Sequence, residues 1–239
     1  MKTTGGEKNG LTGGTDGSPA IWIYPKGREE VDVEVELTFH AAGFMTSSTP
    51  NYNGLWRVHI DPKMPYRQYS STYLDDPWVS FLDYDGFREG NYQTSAGWCV
   101  KNEKDAFVRW HRQVLAEYGF SETEIDDVVN SYVRMLLDRQ YPEKYFLVYP
   151  QDKSIVDGSV SLKVTPPPDS VSRLWLYFVP TNEVPKALSA PPIEKVKRGA
   201  YAVVELAYLT DREIPKDMKH TKAQPGHRLL GRVGAVPAR

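Results

Sequence analysis

The sequence predicts an α+β protein: a mainly antiparallel β-sheet or sandwich with an inserted helix pair and irregular N- and C-terminal arms. Three observations carry that prediction. Residues 31–39, VDVEVELTF, alternate without a slip, which is the period of a half-buried strand. Two stretches of helical period follow each other between residue 103 and Pro142. The order strand–strand–helix–helix–strand–strand–strand lacks the repeated βα alternation of a doubly wound fold.

Taken in chain order, residues 20–24 form an apolar run stopped by Pro25-Lys26-Gly27, a strand ended by turn residues. In the strand at 31–39 the odd positions face a core, and Asp32, Glu34 and Glu36 face water as a solvated row. Residues 55–60 read as another strand. From Tyr52 to Trp98 the chain is aromatic and turn-rich, so short strands and long loops are expected there.

The first helix is placed at 103–118, with Asn102 as N-cap and Gly119 to end it. Phe107, Trp110, Val114 and Tyr118 give it one buried stripe. The second carries a fuller start signal: Ser121 as N-cap, Glu124 at N3, and Phe120 and Ile125 spaced for a hydrophobic staple. Its buried face is Ile125, Val128, Val129, Tyr132 and Leu136, with Pro142 just beyond its end. Strand patterns return at 145–149, 159–164, 173–179 and 201–208, and residues 185–192 read as a surface connection.

The domain organisation follows from composition. Residues 1–18 hold six glycines and four threonines but only Met1 and Leu11 as sizeable apolar groups. Such a segment cannot repay its own ordering entropy, so it is expected to be an arm that orders against a neighbouring chain. Residues 19–210 form a single α+β domain, and residues 211–239 a basic arm. Residues 216–239 carry six Lys/Arg against one acid, a local +5, and with a total of −2 that leaves −7 for residues 1–215. The near-neutral total hides a polarised chain.

Several function classes are disfavoured. No stretch approaches the roughly 20 apolar residues of a membrane span, and MKTTGGEKNG lacks a secretory h-region. The expected location is the cytoplasm, or a virion or other large complex. One cysteine, Cys99, excludes an internal disulfide and a Cys-rich zinc site. His40, His59, His111, His220 and His227 form no H-x-x-x-H pair, and there is no G-x-S-x-G elbow and no P-loop. Neither metal nor cofactor is expected.

Asp83-Tyr84-Asp85-Gly86 resembles the opening of a calcium loop, but position twelve of that loop is Thr94 rather than glutamate. It reads instead as an acidic turn. A Cys99–His111 dyad is less favoured than inert packing of a lone cysteine. Residues 52–98 hold eleven aromatics. Exposed rings there, with Trp56, Tyr69, Tyr73, Trp78 and Tyr84 as candidates, could stack on sugars or fill a partner's pocket.

Several segments together resemble a family of uncharacterised bacterial and fungal proteins. Pro19-Ala20-Ile21-Trp22-Ile23-Tyr24-Pro25 is similar to its P-V-I-Y-L-Y-P opening, and Phe81-Leu82-Asp83-Tyr84-Asp85-Gly86 to its Y-L-Y-W-E-G motif. Gly97-Trp98-Cys99-Val100-Lys101 resembles its G-F-V-V-K, and Gly119-Phe120 with Glu124-Ile125-Asp126-Asp127 its helix start. Thr165-Pro166-Pro167-Pro168-Asp169 with Arg173 is similar to its T-P-x-P-D-x-x-x-R signature. The resemblance runs from about residue 19 to 208, leaves out both arms, and implies a shared domain without an activity. Tyr84-Asp85 stands where the motif has W-E. Read on its own chemistry, the proline run is a stiff corner between strands, braced by contact of Asp169 with Arg173.

The leading functional expectation is a non-enzymatic structural or assembly subunit, capsid-associated or similar, whose arms dock on neighbouring chains of a larger complex. Lys216, Lys219, Lys222, Arg228 and Arg232 would be the docking charges; nucleic acid is expected, if at all, only through this basic tail. The alternatives are a carbohydrate- or peptide-binding module using residues 52–98, and a hydrolase or lyase using Asp83 or Asp85 with a histidine such as His111.

Overall fold

The computed structural model describes residues 15–25, 30–41, 43–61, 69–71, 78–88, 92–138 and 141–211. The first half is all strand: β1 (Thr15–Pro25), β2 (Val31–Phe39), β3 (Phe44–Thr49), β4 (Trp56–Ile60), β5 (Tyr69–Ser71), β6 (Trp78–Val79), β7 (Leu82–Arg88) and β8 (Trp98–Lys101). Then come α1 (Lys104–Tyr118), α2 (Glu122–Val128), a π-helical turn (Val129–Val133) and α3 (Arg134–Asp138). The chain closes with β9 (Tyr145–Pro150), α4 (Lys153–Ser159), β10 (Val160–Thr165), β11 (Ser170–Thr181) and β12 (Tyr201–Asp211).

The strands form two sheets, ordered β3-β7-β1-β12-β11-β9-β8 and β10-β2-β4-β5-β6. Every pairing is antiparallel except β11 with β12. The expected α+β fold with a mainly antiparallel sheet is therefore what the chain adopts, as a sandwich with helices on one outer face.

Two cores result. Ala20 and Trp22 of β1, Val204, Leu206 and Tyr208 of β12, and Leu174, Leu176 and Phe178 of β11 meet the helices. The alternate residues Ile21, Ile23, Val203, Leu209, Trp175 and Tyr177 meet the five-stranded sheet. β1 and β12 are thus covered on both faces, which is why their sequences read as continuous apolar runs. β2 is covered on one face only, and its alternation follows: Val33, Val35 and Leu37 are buried, while Asp32, Glu34 and Glu36 are exposed. The acids form cross-strand pairs in water: Glu34 with Arg57 at 2.8 Å, Glu36 with Lys163 at 3.1 Å, Asp32 with His59 at 2.9 Å. Pairs this exposed contribute at most about 1 kcal/mol each.

The helix signals stand with two corrections. Gly119 ends α1 in the left-handed conformation, φ 84°, and Ser121 and Glu124 form the capping box. Glu103, however, is the N-cap of α1; the Asn102 amide instead donates to the Tyr141 and Glu143 carbonyls at 3.0 and 2.9 Å. The second helix is interrupted by the π turn, whose extra residue per turn brings both Tyr132 and Val133 into the core and leaves Val129 only partly covered. Residues 15–18, grouped by composition with the N-terminal arm, belong to β1 and pair with β12. β1 thus begins before the domain boundary read from the sequence.

Candidate functional site

The segment Asp83–Asp85 is not a turn but the middle of β7, held between β3 and β1. Period two then separates its side chains. Asp83 and Asp85 lie on the helix-bearing face, and Tyr84 points between the sheets.

On the helix-bearing face, Tyr132 Oη donates 2.7 Å to Asp83 Oδ1. Asp85 accepts from Ser18 Oγ and, at 2.6 Å, from Ser47 Oγ. Burial pushes the Asp83 carboxyl up to about 7; the Tyr132 hydrogen bond opposes this and the nearby Asp85 charge adds to it. Further along the same face, Glu124 accepts from Tyr24 Oη, from Ser121 N at 2.6 Å, and from both Arg198 terminal nitrogens at 3.1 and 2.5 Å. The Trp22 indole donates 3.3 Å to Asp127 Oδ2. The Tyr132–Asp83, Tyr24–Glu124 and Trp22–Asp127 bonds tie the helical layer to the sheet, and the Arg198–Glu124 pair ties it to the segment that precedes β12.

Between the sheets lies a buried ionic cluster. Tyr84 Oη donates 2.7 Å to Glu205 Oε1, and Arg173 Nε pairs with the other oxygen. Arg173 Nη1 reaches Asp157 at 3.0 Å and the Val160 carbonyl at 2.6 Å. The Arg88 guanidinium lies 5.2 Å from the Tyr84 ring and 4.9 Å from that of Trp175. Asp169, the expected partner of Arg173, instead holds the start of β12, with Oδ2 accepting from Tyr201 N at 2.8 Å. Glu205 carried no signal in the sequence beyond being a lone charge in an apolar run, and Arg88, beside Glu89, carried none.

His111 does not join the carboxylates. It is fully buried, its Nδ1 lies 2.8 Å from the Phe107 carbonyl, and its ring stacks on Phe178. Burial lowers its pKa to about 4, so it sits neutral in an aromatic cage. His40 contacts Ser161, and His59 contacts Glu30 and Asp32. None of the three described histidines is hydrogen-bonded to Asp83 or Asp85, so the carboxylate–histidine constellation expected of a hydrolase or lyase is not formed among the described residues. Burial raises the Cys99 thiol, the reverse of activation. Among the described residues no three His, Cys, Asp or Glu side chains come together to hold a metal ion.

Two of the aromatic binding candidates are core residues. Trp56 is 2% exposed, donates 2.7 Å to the Pro50 carbonyl and packs edge-on to Tyr52. Tyr84 is wholly buried. Neither offers a ring face to a ligand, because both point into the space between the sheets. Tyr69 and Trp78 belong to the short strands β5 and β6. Tyr73 and the arm residues Lys216, Lys219, Lys222, Arg228 and Arg232 lie outside the described residues.

One further feature concerns the arms. Thr15, where β1 begins, lies opposite Asp211, where β12 ends. The segments 1–14 and 212–239 therefore join the body side by side, at one end of the central strand pair. No helix among the described residues is long and apolar enough to cross a membrane. No protein-family model, curated protein or solved structure matches the chain.

Proposed function

We propose that the protein is a structural subunit whose two terminal segments dock on neighbouring copies in a larger assembly. The observation that carries this reading is the Thr15–Asp211 pairing, because both segments join the rigid sheet at one pole. A body pole bearing two such segments supports a shared use for them. Charge supports the same reading: the C-terminal segment is +5, and residues 1–215 are −7. Opposite charges of this size draw the tail of one copy towards the body of the next, over a range set by salt screening. The site chemistry is consistent with a scaffold, since the polar clusters each brace one layer against another.

Sedimentation of the full chain and of a chain lacking residues 1–14 and 212–239 tests the proposal. The truncated chain should keep its thermal midpoint and sediment as a single species. The full chain should self-associate at low salt and dissociate as salt is raised. Identical sedimentation of the two at every concentration and ionic strength would sink the idea.

A further inference from the structure

A polar row crosses the helix-bearing face of the seven-stranded sheet. Ser47 of β3 lies opposite Asp85 of β7, the Asp85 carboxylate accepts from Ser18 of β1, and Ser18 lies opposite Tyr208 of β12. Asp83, two residues before Asp85, shares the same face. The row is open at one end and closed at the other. Ser47 is exposed on β3, an edge strand of the sheet, whereas Tyr208 is 3% exposed.

Two features set this row apart from the other polar clusters. The first is charge. Glu205 has Arg173, Glu124 has Arg198, and Asp32, Glu34 and Glu36 each have a basic partner across the strand ladder. Asp83 and Asp85 are partly buried on one strand face, yet no lysine, arginine or histidine among the described residues pairs with either; their side-chain donors are hydroxyl groups. Burial pushes Asp83 up to about 7, which is how a carboxyl group behaves when no cation faces it. The second feature is a hydroxyl without a partner. Tyr208 Oη is buried and makes no hydrogen bond among the described residues, although buried polar groups are nearly always paired. It belongs to the same cluster. Burial raises the Tyr132 hydroxyl, and the charges of Asp83, Asp85 and Tyr208 raise it further, so these side chains converge.

The row therefore suits a group that brings positive charge together with hydrogen-bond donors. A lysine ammonium supplies both, with three donors on a long apolar stem. A metal ion fits less well, because carboxylates at alternate strand positions sit about 7 Å apart and no third His, Cys, Asp or Glu joins them among the described residues. Lysines of this chain begin close by. β12 ends at Asp211, three residues after Tyr208, which places the row about 10 Å from that pole. Lys216, Lys219 and Lys222 follow in the +5 segment. β12 heads away from the row as it reaches Asp211. A neighbouring copy's segment thus meets the row without the chain reversal that the same copy's would need.

We infer that the polar row at Asp83 and Asp85 is where the body receives a lysine, Lys216, Lys219 or Lys222, from the C-terminal segment of a neighbouring copy. The ammonium neutralises Asp85, draws Asp83 into its charged form, and brings donors to a cluster that holds an unpartnered hydroxyl. The inference rests on the proposed docking of the terminal segments and names the acceptor for one of them.

The test is carbodiimide coupling of the full chain, as a mixture of 14N- and 15N-labelled copies, followed by peptide mass analysis. The reagent takes up the water lost when a carboxylate and a lysine amine in contact form an amide. Links should join Asp83 or Asp85 of one copy to Lys216, Lys219 or Lys222 of another. Asp83→Asn with Asp85→Asn, which keeps the acceptor oxygens, should abolish those links and weaken low-salt self-association by about tenfold or more. Glu34→Gln with Glu36→Gln removes the same charge from the exposed face of β2 and should leave both readings unchanged. Self-association of the Asn variant equal to the parent's would overturn this site and leave the docking of the segments standing. Links confined to single copies would overturn it too. Absence of self-association by the parent at low salt would overturn the docking itself, and this inference with it.

Discussion

The Tyr132 hydroxyl donates a 2.7 Å hydrogen bond to Asp83 Oδ1, joining a π-helical turn to the strand β7 beneath it. The π turn is what makes the bond possible, since its extra residue lets Tyr132 and Val133 both face inward. The bond also holds a carboxyl group partly out of water, and that has a consequence for pH dependence.

Asp83 is pushed up to about 7 by burial, so the folded state holds a proton that the unfolded chain releases near pH 4. Between those values the native state binds more protons, and stability falls as pH rises. The contribution is fully present below about pH 4 and lost by about pH 7. Asp83→Asn keeps an acceptor for Tyr132 and removes the titration. Relative to the parent, this variant should gain roughly 1–3 kcal/mol between pH 4 and 7.5, water contact reducing the full effect. Urea unfolding across that range measures it, and parallel pH curves for the two proteins would count against the assignment.

Glu124 should show the opposite sign. Burial alone would raise its pKa, but the Arg198 guanidinium, the Tyr24 hydroxyl and the Ser121 N–H together pull it below the usual range. Its contribution is present above the unfolded pKa and lost as pH falls through the lower folded value. Glu124→Ala removes the capping box and leaves Arg198 and Tyr24 without this acceptor. It should cost roughly 3 kcal/mol at neutral pH and progressively less in acid. Denaturation at pH 7 and pH 3 decides the matter; an equal penalty at both would show that the charge is not the cause.

How much of this was legible in the sequence varies by element, for physical reasons. β2 could be read residue by residue because one face is wet. β12 could be read as a strand but not for its inner chemistry, because burial on both faces erases the alternation that would single out Glu205. Asp83-Tyr84-Asp85-Gly86 has turn composition, yet it is a strand whose carboxylates both find hydroxyl donors, Asp83 from Tyr132 in the helical layer and Asp85 from Ser18 and Ser47 on the neighbouring strands. Gly86 is there for closeness rather than for a turn: a Cβ would lie 2.6 Å from the Phe44 carbonyl. Which polar groups met was invisible, since Tyr84 and Glu205 are 121 residues apart. Asp169, four residues from Arg173, is the partner that spacing suggests, whereas the actual partners Glu205 and Asp157 come from other elements.

That cluster supports the sharpest energetic prediction. Arg173 and Glu205 form an ion pair with side chains 4% and 0% exposed. Two buried charges contribute little net stability against an apolar pair of similar volume, but either one alone is costly. Arg173→Met strands Glu205 with only the Tyr84 hydroxyl and should lose roughly 3–5 kcal/mol. Glu205→Leu leaves Arg173 with Asp157 and the Val160 carbonyl, so its penalty should be smaller. Combining them removes both charges from the space between the sheets. The double variant should therefore be more stable than Arg173→Met alone, with a coupling of roughly 2 kcal/mol. Urea unfolding followed by tryptophan fluorescence, with Trp175 beside the pair, gives all four values of the cycle. Penalties that simply add would show that the two charges stabilise the sandwich independently.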